Sequence, residues 1–182
     1  MTTIILLNGV GSAGKGSIAR ALQEITREPF LHVQMDAFIE MLPASLMEHQ
    51  DGISFAAVDG AERPTVAIRT GPAARRLLTG MHGAIAAMAA AGNNLIVDDV
   101  MLNDRIDEYR RLLSGFRLHV VGVFASLDVL EGRERQRGDR TIGLARWQFD
   151  RVHGGIDYDL RLDTDKATPQ ECARRVRDRF AL

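Results

Sequence analysis

A single cysteine among 182 residues, Cys172, excludes an intramolecular disulfide. It shares a helical stripe with Val176 and Phe180 at spacings of four, where a free cysteine serves as a small core residue. Charge of one sign is missing as well: 23 lysines and arginines against 24 aspartates and glutamates give a formal net charge of -1. No overall field draws such a chain to nucleic acid or to an anionic membrane, so any polyanion has to be held by a local site. Long apolar runs are also lacking. Ala84 to Ala91 falls far short of the ~18 residues that cross a bilayer, and Met1 to Val10 has no basic lead before its short apolar stretch Ile4 to Leu7. These absences predict a cytoplasmic protein without nucleic-acid or membrane partners. What is present is 46% hydrophobic residues, enough at this length for one core without staples, and no linker or repeat. Residues 1–182 are read as a single domain.

Apolar runs recur at Thr3 to Leu7, Leu31 to Met35, Leu95 to Val97, Leu118 to Phe124 and Tyr158 to Leu162, with helical spacing between them. This alternation predicts an α/β fold, a five-stranded parallel sheet with helices on both faces. The last run alternates, with Asp159, Arg161 and Asp163 on one side, and belongs at an edge. Helices are expected on the stripe Ile18, Leu22, Ile25, over Arg75 to Ala91, over Asn103 to Ser114, and after Thr168-Pro169-Gln170-Glu171, which has the form of a capping box. Pro43 to Pro72 and Gly132 to Gly143 read as irregular. In such folds these segments lie over the carboxyl ends of the strands, where ligands bind.

The most informative stretch is Gly9-Val10-Gly11-Ser12-Ala13-Gly14-Lys15-Gly16-Ser17, between a strand and an amphipathic helix. Glycines let backbone N–H groups converge on phosphate while the helix N-terminus adds its dipole. Lys15 then reaches the β and γ phosphates of ATP, and a hydroxyl from the first helical turn helps hold Mg2+. The general pattern has that hydroxyl directly after the lysine. Here Gly16 stands there and Ser17 follows, as in the GxxGxGKG(S/T) loops that this one resembles in adenylate kinases, so Ser17 takes the role.

Carboxylates follow two strands. Asp36 comes after the second and reads equally as the base that accepts an acceptor's proton or as a helix N-cap. Asp98 and Asp99 close the third; Asp98 is the candidate that orders magnesium through its water, and Asp99 is a weaker one beside its reading as a strand-end acid. Arg133, Arg137 and Arg140 lie in a segment that reads as a lid over the transferring phosphate or as a solvated charged helix. Given the phosphate loop, the lid is favoured.

Together these pieces resemble chloramphenicol phosphotransferase, a P-loop kinase family related to the adenylate and shikimate kinases. The residues that carry the likeness are Ile5 to Gly9 leading into Ser12 to Lys15, Asp36 with Ile39 and Glu40, and Val97 to Val100. It continues through Glu131 to Glu134, Arg137 to Arg140, Val152-His153 and Tyr158-Asp159. The resemblance implies that Asp36 activates a primary hydroxyl and that Arg133, Arg137 and Arg140 belong to the lid, about 131–143. Two departures stand out: Gly16 replaces that family's serine, and Met41 to Arg76, the acceptor segment, matches poorly. The expected function is an ATP-dependent O-phosphotransferase acting on a small-molecule hydroxyl acceptor such as chloramphenicol, as a monomer or homodimer. The alternatives are a metabolic kinase with an anion site near Arg63, Arg69, Arg75 and Arg76, and a non-catalytic nucleotide switch. Met41, Leu42, Met47, Phe55 and Val58 read as an acceptor pocket or as ordinary core, and His153 as a substrate contact or, in preference, a surface turn after a helix.

Overall fold

The computed structural model describes residues 1–102, 105–138 and 141–182. In chain order its elements are β1 (Thr3–Asn8), α1 (Lys15–Gln23), β2 (Phe30–Gln34), α2 (Met35–Ile39), β3 (Ile53–Ala57), β4 (Val66–Thr70), α3 (Pro72–Ala90) and β5 (Asn94–Asp99). They continue with α4 (Arg105–Leu112), β6 (Arg117–Phe124), α5 (Leu127–Arg137), α6 (Leu144–Phe149), β7 (Leu160–Asp163) and α7 (Pro169–Phe180).

Five strands make a parallel sheet in the order β2-β5-β1-β6-β7, so β1 is central and the alternating strand β7 lies at an edge. The strand β1 is buried along its length because both of its faces are covered. Ile5 and Leu7 pack with Ile18 and Leu22 of α1 and with Cys172, Val176 and Phe180 of α7. Ile4 and Leu6 point the other way, toward Leu78, Met81 and Ile85 of α3 and Ile106 and Tyr109 of α4. Each of these buried aliphatic side chains contributes roughly 1.5–3 kcal/mol. Cys172 is core, as its spacing predicts, and its thiol is held above the usual range by burial.

The last helix is opened by the predicted capping box: Thr168 Oγ1 accepts from the Glu171 amide at 3.2 Å, and the Glu171 carboxylate accepts from the Thr168 amide at 2.7 Å. Elsewhere the local expectations need correction. Pro43 to Pro72 is not irregular throughout: β3 and β4 pair as an antiparallel hairpin from Ile53 opposite Thr70 to Ala57 opposite Val66. Its strands are half-exposed, so no apolar run marks them. The segment from Gly132 is helical to Arg137 and ends at Gly138 in the left-handed region, φ 70°. Helix α3 starts at Pro72 rather than Arg75, and α4 at Arg105, Asn103 lying outside the described residues. Among the described residues no helix is long and apolar enough to cross a membrane.

The hairpin is docked rather than loose. The Val66 amide donates to Gly143 O at 3.1 Å, joining β4 to the turn between α5 and α6. Arg63, in the hairpin loop, faces Glu131 of α5 at 4.0 Å, and Arg146 of α6 pairs with the same carboxylate. The predicted acceptor segment and the predicted lid are therefore bonded to one another.

Candidate active site

The glycine-rich loop crosses from β1 to α1 at the carboxyl edge of the sheet, and its shape depends on two glycines. A side chain on Gly9 would put Cβ 2.4 Å from Val123 O, so the loop lies directly on the backbone of β6. Gly14, at φ 93°, caps α1 in the left-handed region that disfavours other residues. Ser12 adopts a positive φ of 65° between them. Within this turn Lys15 is buried, and its ammonium donates to Gly9 O at 2.9 Å and Val10 O at 3.1 Å. The loop is thus wound around its own lysine.

Neighbouring elements hold the loop from outside. The Gly11 amide donates to Gln148 Oε1 of α6 at 2.8 Å. Thr164, following β7, donates from Oγ1 to Ala13 O at 3.1 Å and accepts from Arg133 Nη1 at 3.0 Å, while Arg133 Nη2 reaches Thr164 O at 2.9 Å. Arg133 is therefore seated beside the glycine-rich loop. Arg137 lies one helical turn on, exposed, and Arg140 lies outside the described residues. Glu134, between them in sequence, is buried and accepts from the Gly143 and Ala145 amides, both at 2.8 Å, which fixes α6 against α5.

Asp98 lies at the end of β5, with Oδ1 3.7 Å from Lys15 Nζ and Oδ2 3.7 Å from His32 Nε2. Burial pushes its carboxyl up, but Lys15 and His32 outweigh that and leave it below the usual carboxylate range. Asp98 is consequently ionised at neutral pH. Asp99 has a structural task instead, since its carboxylate accepts from the Val100 amide at 2.7 Å and from the Tyr109 hydroxyl at 2.8 Å. Burial, then the Asp99 charge, raise the Tyr109 phenol well above its ordinary value. Asp36 sits in the first turn of α2 and is not its N-cap, which is Gln34. Because Gln34 pairs opposite Asp98, the strand register brings Asp36 and Asp98 to adjacent strand ends.

Magnesium asks for oxygen ligands and keeps several waters. Among the described residues no group of three or more His, Cys, Asp or Glu side chains could enclose a metal. The donor set is one ionised carboxylate beside a gap: a Cβ on Gly16 would meet Asp98 Oδ2 at 3.3 Å and His32 Cε1 at 3.9 Å. Such a set fits an ion held chiefly by nucleotide phosphates and water. Ser17 stands one residue further, about 100° around the helix, with its amide on Gly14 O at 3.1 Å.

A second polar network lies under the loop. Asn8, fully buried, donates to Val152 O at 2.8 Å and Tyr158 Oη at 2.7 Å and accepts from the Met101 amide at 2.8 Å. His153 is not a free surface residue: its Nδ1 lies 2.7 Å from Tyr158 Oη, and its ring stacks on Phe124 at 3.9 Å. Desolvation first, then Arg161 and Lys15, lower it to about 4.

Met41, Met47 and Val58 are exposed, so the reading of these residues as ordinary core is wrong. Of the arginines proposed for an anion site, Arg63 faces Glu131, Arg75 donates to Thr70 O, and Arg69 and Arg76 are exposed. Glu134 enters only within the resemblance, and sequence reasoning passed over His32, Gln148 and Thr164. Each acts on a group distant in the chain, so only an isolated polar residue in an apolar context could have drawn attention to it.

Comparison with known proteins identifies relatives in sequence and in fold. A family model described as chloramphenicol phosphotransferase-like protein matches residues 2–181. A Mycobacterium tuberculosis H37Rv protein, provisionally named an O-phosphotransferase, is 33% identical over 185 residues, covering 97% of this chain and 81% of that protein. Among solved structures, the Mycobacterium tuberculosis APS kinase in complex with AMPPNP and APS has a TM-score of 0.68 at 16% identity, covering 100% of this chain and 98% of that one. The Deinococcus radiodurans tunicamycin resistance protein has a TM-score of 0.68 at 18% identity, covering 100% and 97%. A gluconokinase from Sinorhizobium meliloti has a TM-score of 0.62 at 17% identity, covering 99% and 91%. At such identities the structural likeness is one of fold alone.

Proposed function

From the premise that this chain belongs to the chloramphenicol phosphotransferase-like family, we propose that it is an ATP-dependent O-phosphotransferase whose acceptor is a hydroxyl of a small, mainly apolar molecule. Chloramphenicol and related antibiotics are the first candidates. The observation that carries this reading is the convergence of Lys15, Asp98 and Asp36 at the ends of adjacent elements on one edge of the sheet.

Gly9, Gly11, Ser12, Ala13, Gly14, Lys15, Gly16 and Ser17 form the cradle for the nucleotide phosphates. Once phosphate enters, Lys15 exchanges its two carbonyl partners for phosphate oxygens, and the Gly11 amide is positioned by Gln148. Ser17, and Asp98 through water, would hold a magnesium ion, which would supply neutralisation of phosphate charge. Asp36 accepts the proton of the attacking hydroxyl as its oxygen bonds to the γ phosphorus, and the bond from that phosphorus to the ADP oxygen breaks. Lys15 and the lid arginines Arg133, Arg137 and Arg140 stabilise the charge on the transferring group.

Two features favour a neutral acceptor over an anionic one. Met41, Met47 and Val58 expose apolar surface on the acceptor segment, and Arg63 and Arg75 there are turned to Glu131 and Thr70. The test is ADP release with chloramphenicol, a sugar acid and nucleoside monophosphates as acceptors, in wild type and in Asp36→Asn. Removing a general base should lower kcat by about 10²–10⁴ with KM little changed. Turnover of monophosphates alone would overturn the acceptor class, and full kcat in Asp36→Asn would overturn the base.

A further inference from the structure

The loop lacks a side chain at the position after its lysine, and the structure shows what surrounds that gap. A Cβ on Gly16 would point between Asp98 Oδ2, at 3.3 Å, and the His32 ring, whose Cε1 is at 3.9 Å. The two strands that bring these groups there are neighbours: His32 of β2 pairs opposite Ile96, and Gln34 opposite Asp98. The His32 side chain is 8% exposed, and its Nε2 is 3.7 Å from Asp98 Oδ2. That separation is too long for a hydrogen bond, and Nε2 has no other partner. Buried ring nitrogens are normally satisfied, so an orphan aimed at a cradle calls for a missing partner. The third group at the gap is Arg20, with Nη1 3.8 Å from the same point. A guanidinium there opposes a bare cation and tolerates a water.

We infer that His32 is a positioning residue of the metal site. Its Nε2 and Asp98 Oδ2 together hold a water of the nucleotide-bound magnesium, in the space where the general loop pattern supplies a hydroxyl. This inference rests on the phosphotransferase reading above. It gives the buried ring nitrogen a partner and explains how the loop dispenses with a hydroxyl beside Asp98. Outer-shell groups of this kind set metal affinity without touching the ion.

The experiment is calorimetric binding of ADP with and without magnesium to wild type, His32→Ala, Asp98→Asn, and the pair His32→Ala with Gly16→Ser. In His32→Ala, metal-free ADP affinity should stay within about twofold, while the gain from magnesium should fall by about tenfold, the lower bound for such outer-shell partners. Adding Gly16→Ser should restore most of that gain, because its hydroxyl enters the same space. If His32→Ala does not fold, His32→Phe, which keeps a ring and lacks its nitrogens, carries the same comparison. An unchanged magnesium gain in the His32 variant, with loss in Asp98→Asn, would overturn this inference alone. No ADP binding to the wild type would overturn the phosphotransferase reading itself.

Discussion

Replacing Glu134 with alanine should loosen the junction of α5 and α6, because this carboxylate is the pin between them. Its two oxygens each accept one amide, Gly143 and Ala145, at 2.8 Å, in a position only 3% exposed. Both amides open α6, whose N-cap is a glycine at φ 94° and supplies no side chain of its own. Hydrogen bonds to a charged partner contribute about 1.5–3 kcal/mol each, so losing two at a buried site should cost roughly 3–6 kcal/mol, less whatever water recovers. At this chain length that is a fall in Tm of roughly 10 °C. Glu134→Gln keeps the shape and one acceptor and should lose about half as much. Urea unfolding at neutral pH gives the stability change, and amide exchange at Gly143 and Ala145 localises it. Because α6 carries Gln148 onto Gly11, ADP affinity should fall in parallel. Equal stability of wild type and Glu134→Ala, with both amides still protected, would refute the reasoning.

Gly9→Ala should destabilise by about 1–3 kcal/mol or more, since its Cβ would lie 2.4 Å from the carbonyl of Val123, a backbone atom of a central strand; thermal melting checks the stability and ADP titration the expected loss of binding. His153 should make stability depend on pH in a defined window. Its folded value is lowered to about 4 from 6.5, so on acidification the unfolded chain takes up the proton first. Its contribution is complete above about pH 6.5, declines as pH falls toward 4, and is constant below. In His153→Phe, which preserves ring packing on Phe124, that part of the slope should vanish from urea unfolding measured across the range.

Much of this was legible in the chain itself where the signal is local. The loop Gly9 to Ser17 declares its chemistry because glycine, lysine and hydroxyl each have a steric or electrostatic reason to stand close together. The inner strands β5, β1 and β6 declare themselves because burial on both faces demands apolar runs, β7 by its alternation at an edge, and Thr168 to Glu171 because a helix start satisfies its amides within four residues. The hairpin did not, since β3 and β4 are half-exposed and hold together by pairing with each other and with Gly143. The arginine-rich stretch through Gly132 hid a helix because its apolar face is slight and its anchoring is polar, through Glu134 and Arg133.

The sequence by itself determined the kind of fold and the start of the last helix, because each follows from residues adjacent in the chain. Only the tertiary structure decided which polar groups meet: Gln148 on Gly11, Thr164 between Ala13 and Arg133, and His32 beside Asp98 at the gap left by Gly16. The physical reason is register. Two side chains far apart in sequence share a site only when the strands and helices that carry them are set side by side, and that alignment is fixed by the packing of the whole sheet.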